Sequence, residues 1–245
     1  MIKFKELNSG NKEFSKSFES FLSKRNLVTA EVSNTVRDII SQIRNKGDRA
    51  LKSLTKEFDN FAAEDFFVSE REINEILKDF DKSLIKSFEF SFDKIINFQS
   101  ECFDSLNLNC SRGEITRKFR TIDSVGMYIP GGKASYPSTV LMGAAPAIAC
   151  GVKKISIASP AQNGALNPSV IAAAKVVGID RIYKIGGAQA IAALALGTEQ
   201  ISKVEKIIGP GNVYVAEAKK QLFGEVGIDS IAGPSEIVVL ADSTS

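Results

Sequence analysis

Apolar positions recur with two different periods along this chain. Before Glu114 the period is helical. Phe14, Phe18, Phe21 and Leu22 share one face, three or four residues apart. Val36, Ile39, Ile40 and Ile43 repeat the pattern up to Gly47, and Ala50, Leu51, Leu54 and Phe58 resume it beyond. Ser69-Glu70-Arg71-Glu72 has the form of a capping box, because a serine and a glutamate three residues on can each take an end amide. It opens a run carrying Ile73, Ile76, Leu77 and Phe80. A further run holds Leu84, Ile85, Phe88, Phe92, Ile95 and Ile96. All of these stripes are expected to face a core. A cofactor box of aromatics would need converging polar groups, and the stripes carry none.

From Glu114 the period changes. EITRKF and SVGMYI read as two short strands, and strands and small-residue helices alternate from there on. Strands are expected at 124–129, 153–158, 181–185 and 203–208, with a weaker one at 228–231. Helices are expected at 138–150, 168–177, 188–196 and 213–223. A helix between successive strands indicates βαβ units and a parallel sheet, since parallel neighbours need a long crossover. The helices are rich in alanine, so they can sit close on that sheet. The predicted class is α/β: a parallel sheet with flanking helices, preceded by a mainly helical N-terminal region.

Three strand ends carry glycine turns: Ile129-Pro130-Gly131-Gly132, Ile185-Gly186-Gly187 and Ile208-Gly209-Pro210-Gly211. In a parallel sheet these ends share one edge, and ligands of open α/β sheets bind in the crevice outside it. Glycine lets a ligand approach the backbone. Helix N-termini just beyond offer free N–H groups for phosphate or carboxylate. Tyr128, near the end of its strand, Gln189, opening an apolar helix, and Asn212, at an N-cap position, gather there. Each has a plain alternative: packing for Tyr128, a solvent-facing first-turn residue for Gln189, a simple cap for Asn212. Together they favour a crevice for an anionic or dinucleotide ligand. The usual fingerprints are missing, because Tyr214 stands where GxGxxG needs its last glycine and no GKS or GKT closes a glycine loop. This reasoning does not reach a reaction.

Composition narrows the picture. Lys+Arg 31 against Asp+Glu 29 leaves a net charge of +2, which suggests no basic face and argues against nucleic acid. The first residues, MIKFKELNSGNKEF, lack the long apolar core of a signal peptide or membrane span. Cys102, Cys110 and Cys150 form no CxxC pair, which fits a reducing cytoplasm. Histidine, the usual base near neutral pH and the commonest metal ligand, is absent from the sequence. Cys150 therefore reads as helix-end filling rather than a nucleophile. Ser235, in Ala-Gly-Pro-Ser-Glu, reads equally as a turn hydroxyl or a ligand contact, and Lys153-Lys154 as a solvated strand start.

Three segments carry a resemblance: VGMYIPGGKASYPSTVLMGAAPAIACGVKKISIASP, then IGGAQAIAALALGTEQISKVEKIIGPGNVYVAEAKKQLFG, then IDSIAGPSEIVVLAD. GGAQAIAALA, IGPGNVYV and AGPSE in this order resemble the N-terminal part of histidinol dehydrogenases. VRDIISQIRNKGDRALKSLTKEFDN is similar to that family's first domain. The resemblance implies a Rossmann-like NAD-binding domain at 124–235, a helical region and part of a first domain at 1–123, and a strand returning to that domain at 236–245. It implies a cytoplasmic, zinc-dependent homodimer that oxidises L-histidinol to L-histidine in two NAD-linked steps, the last reaction of histidine biosynthesis. By motif position it puts NAD contacts on Tyr128, Gln189 and Asn212, and a substrate contact on Ser235.

The family's zinc ligands and its Glu-His acid/base pair fall beyond Ser245, so no catalytic or metal residue is expected within this chain. The expectation is an incomplete polypeptide (a fragment, a split gene or a decayed frame) that is weakly active or inactive alone. Its apolar run EIVVLA should then be a poorly covered edge. The alternatives are a non-catalytic NAD- or nucleotide-binding module and another alcohol dehydrogenase on the same sheet.

Overall fold

The computed structural model describes residues 7–23, 29–62, 64–106, 109–131, 136–231, 237, 239 and 241. The helical part comprises α1 (Phe14–Ser23), α2 (Ala30–Asp59), α3 (Glu70–Lys78) and α4 (Lys82–Ser105). A small antiparallel hairpin follows, β1 (Cys110–Arg112) with β2 (Ile115–Arg117). Then come β3 (Ser124–Tyr128), α5 (Pro137–Ala149), β4 (Lys154–Ser159), α6 (Pro168–Val176), β5 (Ile182–Lys184), α7 (Gly187–Leu196), β6 (Lys206–Ile208), α8 (Val213–Leu222) and β7 (Gly227–Ile228).

Strands β3 to β7 form one parallel sheet in the order β5-β4-β3-β6-β7. The chain winds outward from β3 to β5, then crosses back to lay β6 on the other side of β3. Side chains alternate across this sheet and fill two cores. Val125, Met127 and Ile157 join α5 and α6 on one face, while Tyr128, Ala158 and Ile207 join α7 and α8 on the other. Helix α2 closes the α7/α8 layer, and α3 and α4 close the α5/α6 layer. The N-terminal helices thus clasp the sheet from both sides.

Local chemistry sets these elements. The Thr29 hydroxyl caps α2, and the Ser69 hydroxyl accepts from Glu72 N–H at 3.2 Å to cap α3. The Glu72 carboxylate turns to Lys184 on β5, 2.9 Å away. Gly47, at φ 48° and ψ −131°, breaks α2 where the apolar spacing paused. Between α2 and α3, Phe66 and Val68 hydrogen-bond along β5, and both are buried. That segment covers a sheet edge that would otherwise present unpaired amides.

Some expectations are corrected. The first stripe does not reach the core: Phe18, Phe21 and Leu22 on α1 are exposed. The α4 stripe is half covered; Phe88, Phe92 and Ile95 pack on the α5/α6 core, but no α4 residue is fully buried. The strand expected at 203–208 is only β6, because Thr198, Ser202 and Lys203 belong to a turn in which Thr198 N–H bonds Ile201. The strand expected at 228–231 is β7, which starts one residue earlier and is only two residues long. Of EITRKF, Ile115–Arg117 form a strand, in the exposed hairpin. Of the apolar run 236–241, Ile237 and Val239 are 87% and 81% exposed, Ala241 is exposed, and none of the three lies in a strand; residues 236, 238 and 240 fall outside the described residues.

Candidate functional site

Strands β3 and β6 are neighbours whose connections leave toward opposite edges, which puts the switch point of the sheet, where open α/β sheets bind ligands, beyond their C-terminal ends. Two turns form its floor. Gly209, just after β6, has φ +116°, and a Cβ there would collide with the Tyr128 carbonyl oxygen. Only glycine allows this approach of the two strand ends. Lys219, reaching back from α8, and Asp229, just after β7, hold the turn. Lys219 Nζ donates to Gly209 C=O and lies 2.8 Å from Asp229, whose other oxygen accepts from Gly209 N–H at 2.8 Å. Burial alone would push the Asp229 carboxyl up; Lys219 with the Ser230 and Gly209 amides holds it below its ordinary value instead.

On the other side of β3, Pro160 follows β4. Its ring fills the space that Gly131 and Gly186 leave open, for a Cβ on either would stand 2.6 Å or 2.5 Å from it. The turns after β3, β4 and β5 are thereby seated against one another.

Tyr128 and Gln189 are brought together. The Tyr128 oxygen accepts from Gly187 N–H at 3.1 Å, at the first residue of α7. Gln189 lies two residues further along, its amide oxygen folded over Gly187. Tyr128 is 4% exposed and Gln189 2%. Gln189 is therefore not the solvent-facing residue its plain alternative held. Its amide makes no side-chain hydrogen bond among the described residues, but its polar atoms are not among the fully buried unpartnered ones, which belong to Asp48, Thr55, Asp59 and Glu217. Burial raises the Tyr128 pKa; the Gly187 amide works against that rise and Asp59, at the end of α2, adds to it.

Asn212 stands on the far side of Gly209 and is exposed. Its side-chain oxygen caps α8, accepting from Tyr214 and Val215 N–H at 3.1 Å each. The capping alternative therefore holds for its oxygen, while its amide nitrogen stays free for a ligand. Ser235 lies outside the described residues.

Some helix-end amides are already taken, Gly187 N–H by the Tyr128 oxygen and Tyr214 and Val215 N–H by the Asn212 side chain. Sequence reasoning missed Asp59, Pro160, Lys219 and Asp229. Each reaches the rim from an element other than the glycine turn it supports, and only Pro160, two residues after a predicted strand, left a signal. Cys150 ends α5 as a half-buried free thiol.

A sequence profile described as histidinol dehydrogenase matches residues 22–245, nearly the whole chain. This chain belongs to the histidinol dehydrogenase family. It is 45% identical to histidinol dehydrogenase 1 of Nostoc sp. over 238 residues, covering 96% of this chain and 55% of that one. It is 48% identical to the histidinol dehydrogenase of Oceanobacillus iheyensis over 218 residues, covering 88% and 51%. The crystal structure of histidinol dehydrogenase from Elizabethkingia anophelis superposes with a TM-score of 0.79 at 37% identity, covering 86% of this chain and 50% of that one. The chain thus spans about half the length of the histidinol dehydrogenases it matches.

Proposed function

We propose that this chain is the dinucleotide-binding part of a histidinol dehydrogenase, which oxidises L-histidinol to L-histidine at the expense of two NAD. The observation that carries the proposal is Gln189. Its side chain is almost wholly buried and its amide makes no hydrogen bond to the described residues, so holding it there without a ligand costs part of a polar contact. At a switch-point crevice, that cost has a natural use in ligand recognition. Gln189 and Tyr128 would hold the dinucleotide from the α7 side, and the Asn212 amide from the α8 side. The Gly209 turn lets it come close to the backbone. NAD, when bound, accepts a hydride from the alcohol. The chain's own part is to hold NAD and to keep water from the crevice floor through the close contact of Gly209 with Tyr128. Residues 124–235 form the dinucleotide domain in this reading, and Ser235 is a substrate contact.

The described residues do not fit a zinc site. No three of their Cys, Asp or Glu side chains gather around one point, and the sequence has no histidine. No step through zinc is derived, and the hydroxyl proton is assigned to no residue here. A homodimer in the cytoplasm is part of the same reading, consistent with a chain whose described helices include none long and apolar enough to cross a membrane.

Calorimetric titration of NAD into the chain and into Gln189→Leu tests the proposal. Binding that weakens at least about tenfold in the variant, the worth of one polar contact, is expected. Equal binding would put the cofactor elsewhere. Turnover of L-histidinol with NAD and zinc should be weak or absent; a rate matching that of a full-length relative would overturn this assignment.

A further inference from the structure

The edge of the sheet opposite the crevice, where the strands begin, holds a cavity of about 440 Å³, a size that suits a small molecule. Lys153 and Lys154, which read from sequence as a solvated strand start, meet Arg181 and Lys203 in its lining. None of these four side chains makes an ion pair or a hydrogen bond with a described residue. Helices α5, α6 and α7 finish at this edge with negative dipole ends, yet carbonyls there already accept backbone amides. Gly151 and Val152 N–H close α5, Gly178 and Ile179 close α6, and Gly197 and Val204 close α7. The nearby acids are mostly taken. Asp180 pairs with Lys175 at 3.6 Å, Glu205 accepts from Asp123 N–H, and Glu225, in electrostatic reach of Lys203, is bound by Arg44. Of the acids in the lining, only Asp123 keeps a carboxylate unpaired among the described residues. Two hydroxyls complete the lining. Ser156, on β4, is 5% exposed and makes no hydrogen bond with a described residue, and its oxygen is not sealed in the core but opens on the cavity. Ser124 Oγ accepts from Glu205 N–H at 3.1 Å, which leaves its proton to donate.

We propose that this cavity is a second ligand site, for a small organic molecule that carries a phosphate ester. Four cations against one unpaired carboxylate favour a group with more than one negative charge, and a concave site concentrates their field. Arg181 offers a planar pair of N–H donors to phosphate oxygens, and Lys154 and Lys203 add compact charges. The Ser156 and Ser124 hydroxyls supply neutral donors. Val152, Ile155 and Val204 give the wall an apolar stretch that an organic body covers and inorganic phosphate leaves bare. The lining shares no residue with Tyr128, Gln189, Gly209 or Asn212, so the proposal stands apart from the dinucleotide reading.

Calorimetric titration of phenyl phosphate into the chain tests the site, with inorganic phosphate and phenol as partial probes. Phenyl phosphate should saturate one site per chain, at least about tenfold tighter than inorganic phosphate because its ring covers the apolar wall, and phenol should not bind measurably. Arg181→Gln combined with Lys203→Gln changes two exposed residues, so the variant should fold like the parent. It should bind phenyl phosphate at least about tenfold more weakly, the worth of one charge-assisted hydrogen bond. Ser156→Ala adds no bulk and should weaken binding severalfold. Lys52→Gln removes a like charge from an exposed position on α2 outside the lining and should leave binding unchanged. Absence of phenyl phosphate binding, an equal loss in Lys52→Gln, or full affinity in the double variant or in Ser156→Ala overturns the proposal. So does loss of phenyl phosphate binding in Gln189→Leu, which would put the phosphate in the crevice instead.

Discussion

Lys219 and Asp229 meet at 2.8 Å and both grip Gly209, the ammonium on its carbonyl and the carboxylate on its N–H. Lys219 Nζ is almost wholly buried, with its side chain 5% exposed. In the sequence it looks like an ordinary last-turn lysine complementing the helix dipole. In the structure it fixes the turn that brings β6 against β3.

Lys219→Met should therefore leave an unpaired carboxylate and an unmet carbonyl under the turn. The expected loss is about 2–3 kcal/mol, somewhat below a fully buried pair because Asp229 is partly solvated. Urea unfolding at neutral pH measures it. The folded Asp229 pKa is depressed, so its contribution is complete above the unfolded value of about 3.9 and is lost as pH falls through the lower folded value. The variant should lose less stability than the parent on acidification into that window.

Gly209→Ala and Gly178→Ala separate strain from collision. Both glycines have positive φ, +116° and +74°, but a Cβ on Gly178 meets nothing within 4 Å. Gly178→Ala should cost about 1 kcal/mol, the left-handed penalty alone. Gly209→Ala should cost at least about 3 kcal/mol, because the new carbon strikes the Tyr128 carbonyl and backbone has to move. Thermal unfolding of the pair checks the difference.

Asn212 has two duties that one substitution can divide. Asn212→Ala should lose about 1 kcal/mol of stability with the α8 cap. Asn212→Ser keeps a capping oxygen and removes the amide nitrogen. It should unfold like the parent and bind NAD more weakly, as calorimetry would read; full NAD affinity in the serine variant would make Asn212 a cap alone.

Asp59→Asn should raise the melting temperature at neutral pH. A raised folded pKa means that folding penalises the charged form. The penalty is complete above the raised value, fades as pH falls through it, and is gone below about 3.9. The gain should therefore shrink on acidification, and scanning calorimetry at several pH values would follow it.

The βαβ half was legible because its signals are local. Alanine-rich helices, short β-branched runs and glycines at strand ends fixed α5 to α8 and β3 to β6 to within a few residues. The pause at Gly47 and the box at Ser69 were readable for the same reason. What stayed hidden depends on distant partners. Glu217 looks like a solvent-facing helix charge, yet it is buried, with Ser33 from α2 and Gln221 each 2.8 Å away. Burial would raise its pKa, but Gln221, Ser33 and Lys220 hold it low. The aromatic stripes of α1 and α4 misled for the converse reason: periodicity tells which residues share a face, and nothing about whether that face is covered.

Pro160 has a consequence for how a ligand would enter. Its ring has no rotamers to freeze, and it sets the pitch between the bends at Gly131 and Gly186. The mouth of the crevice is thus shaped before anything arrives, which spares association the entropy of ordering those loops. Gly131→Ala or Gly186→Ala would evict the same ring, so a change at either bend should be felt at both.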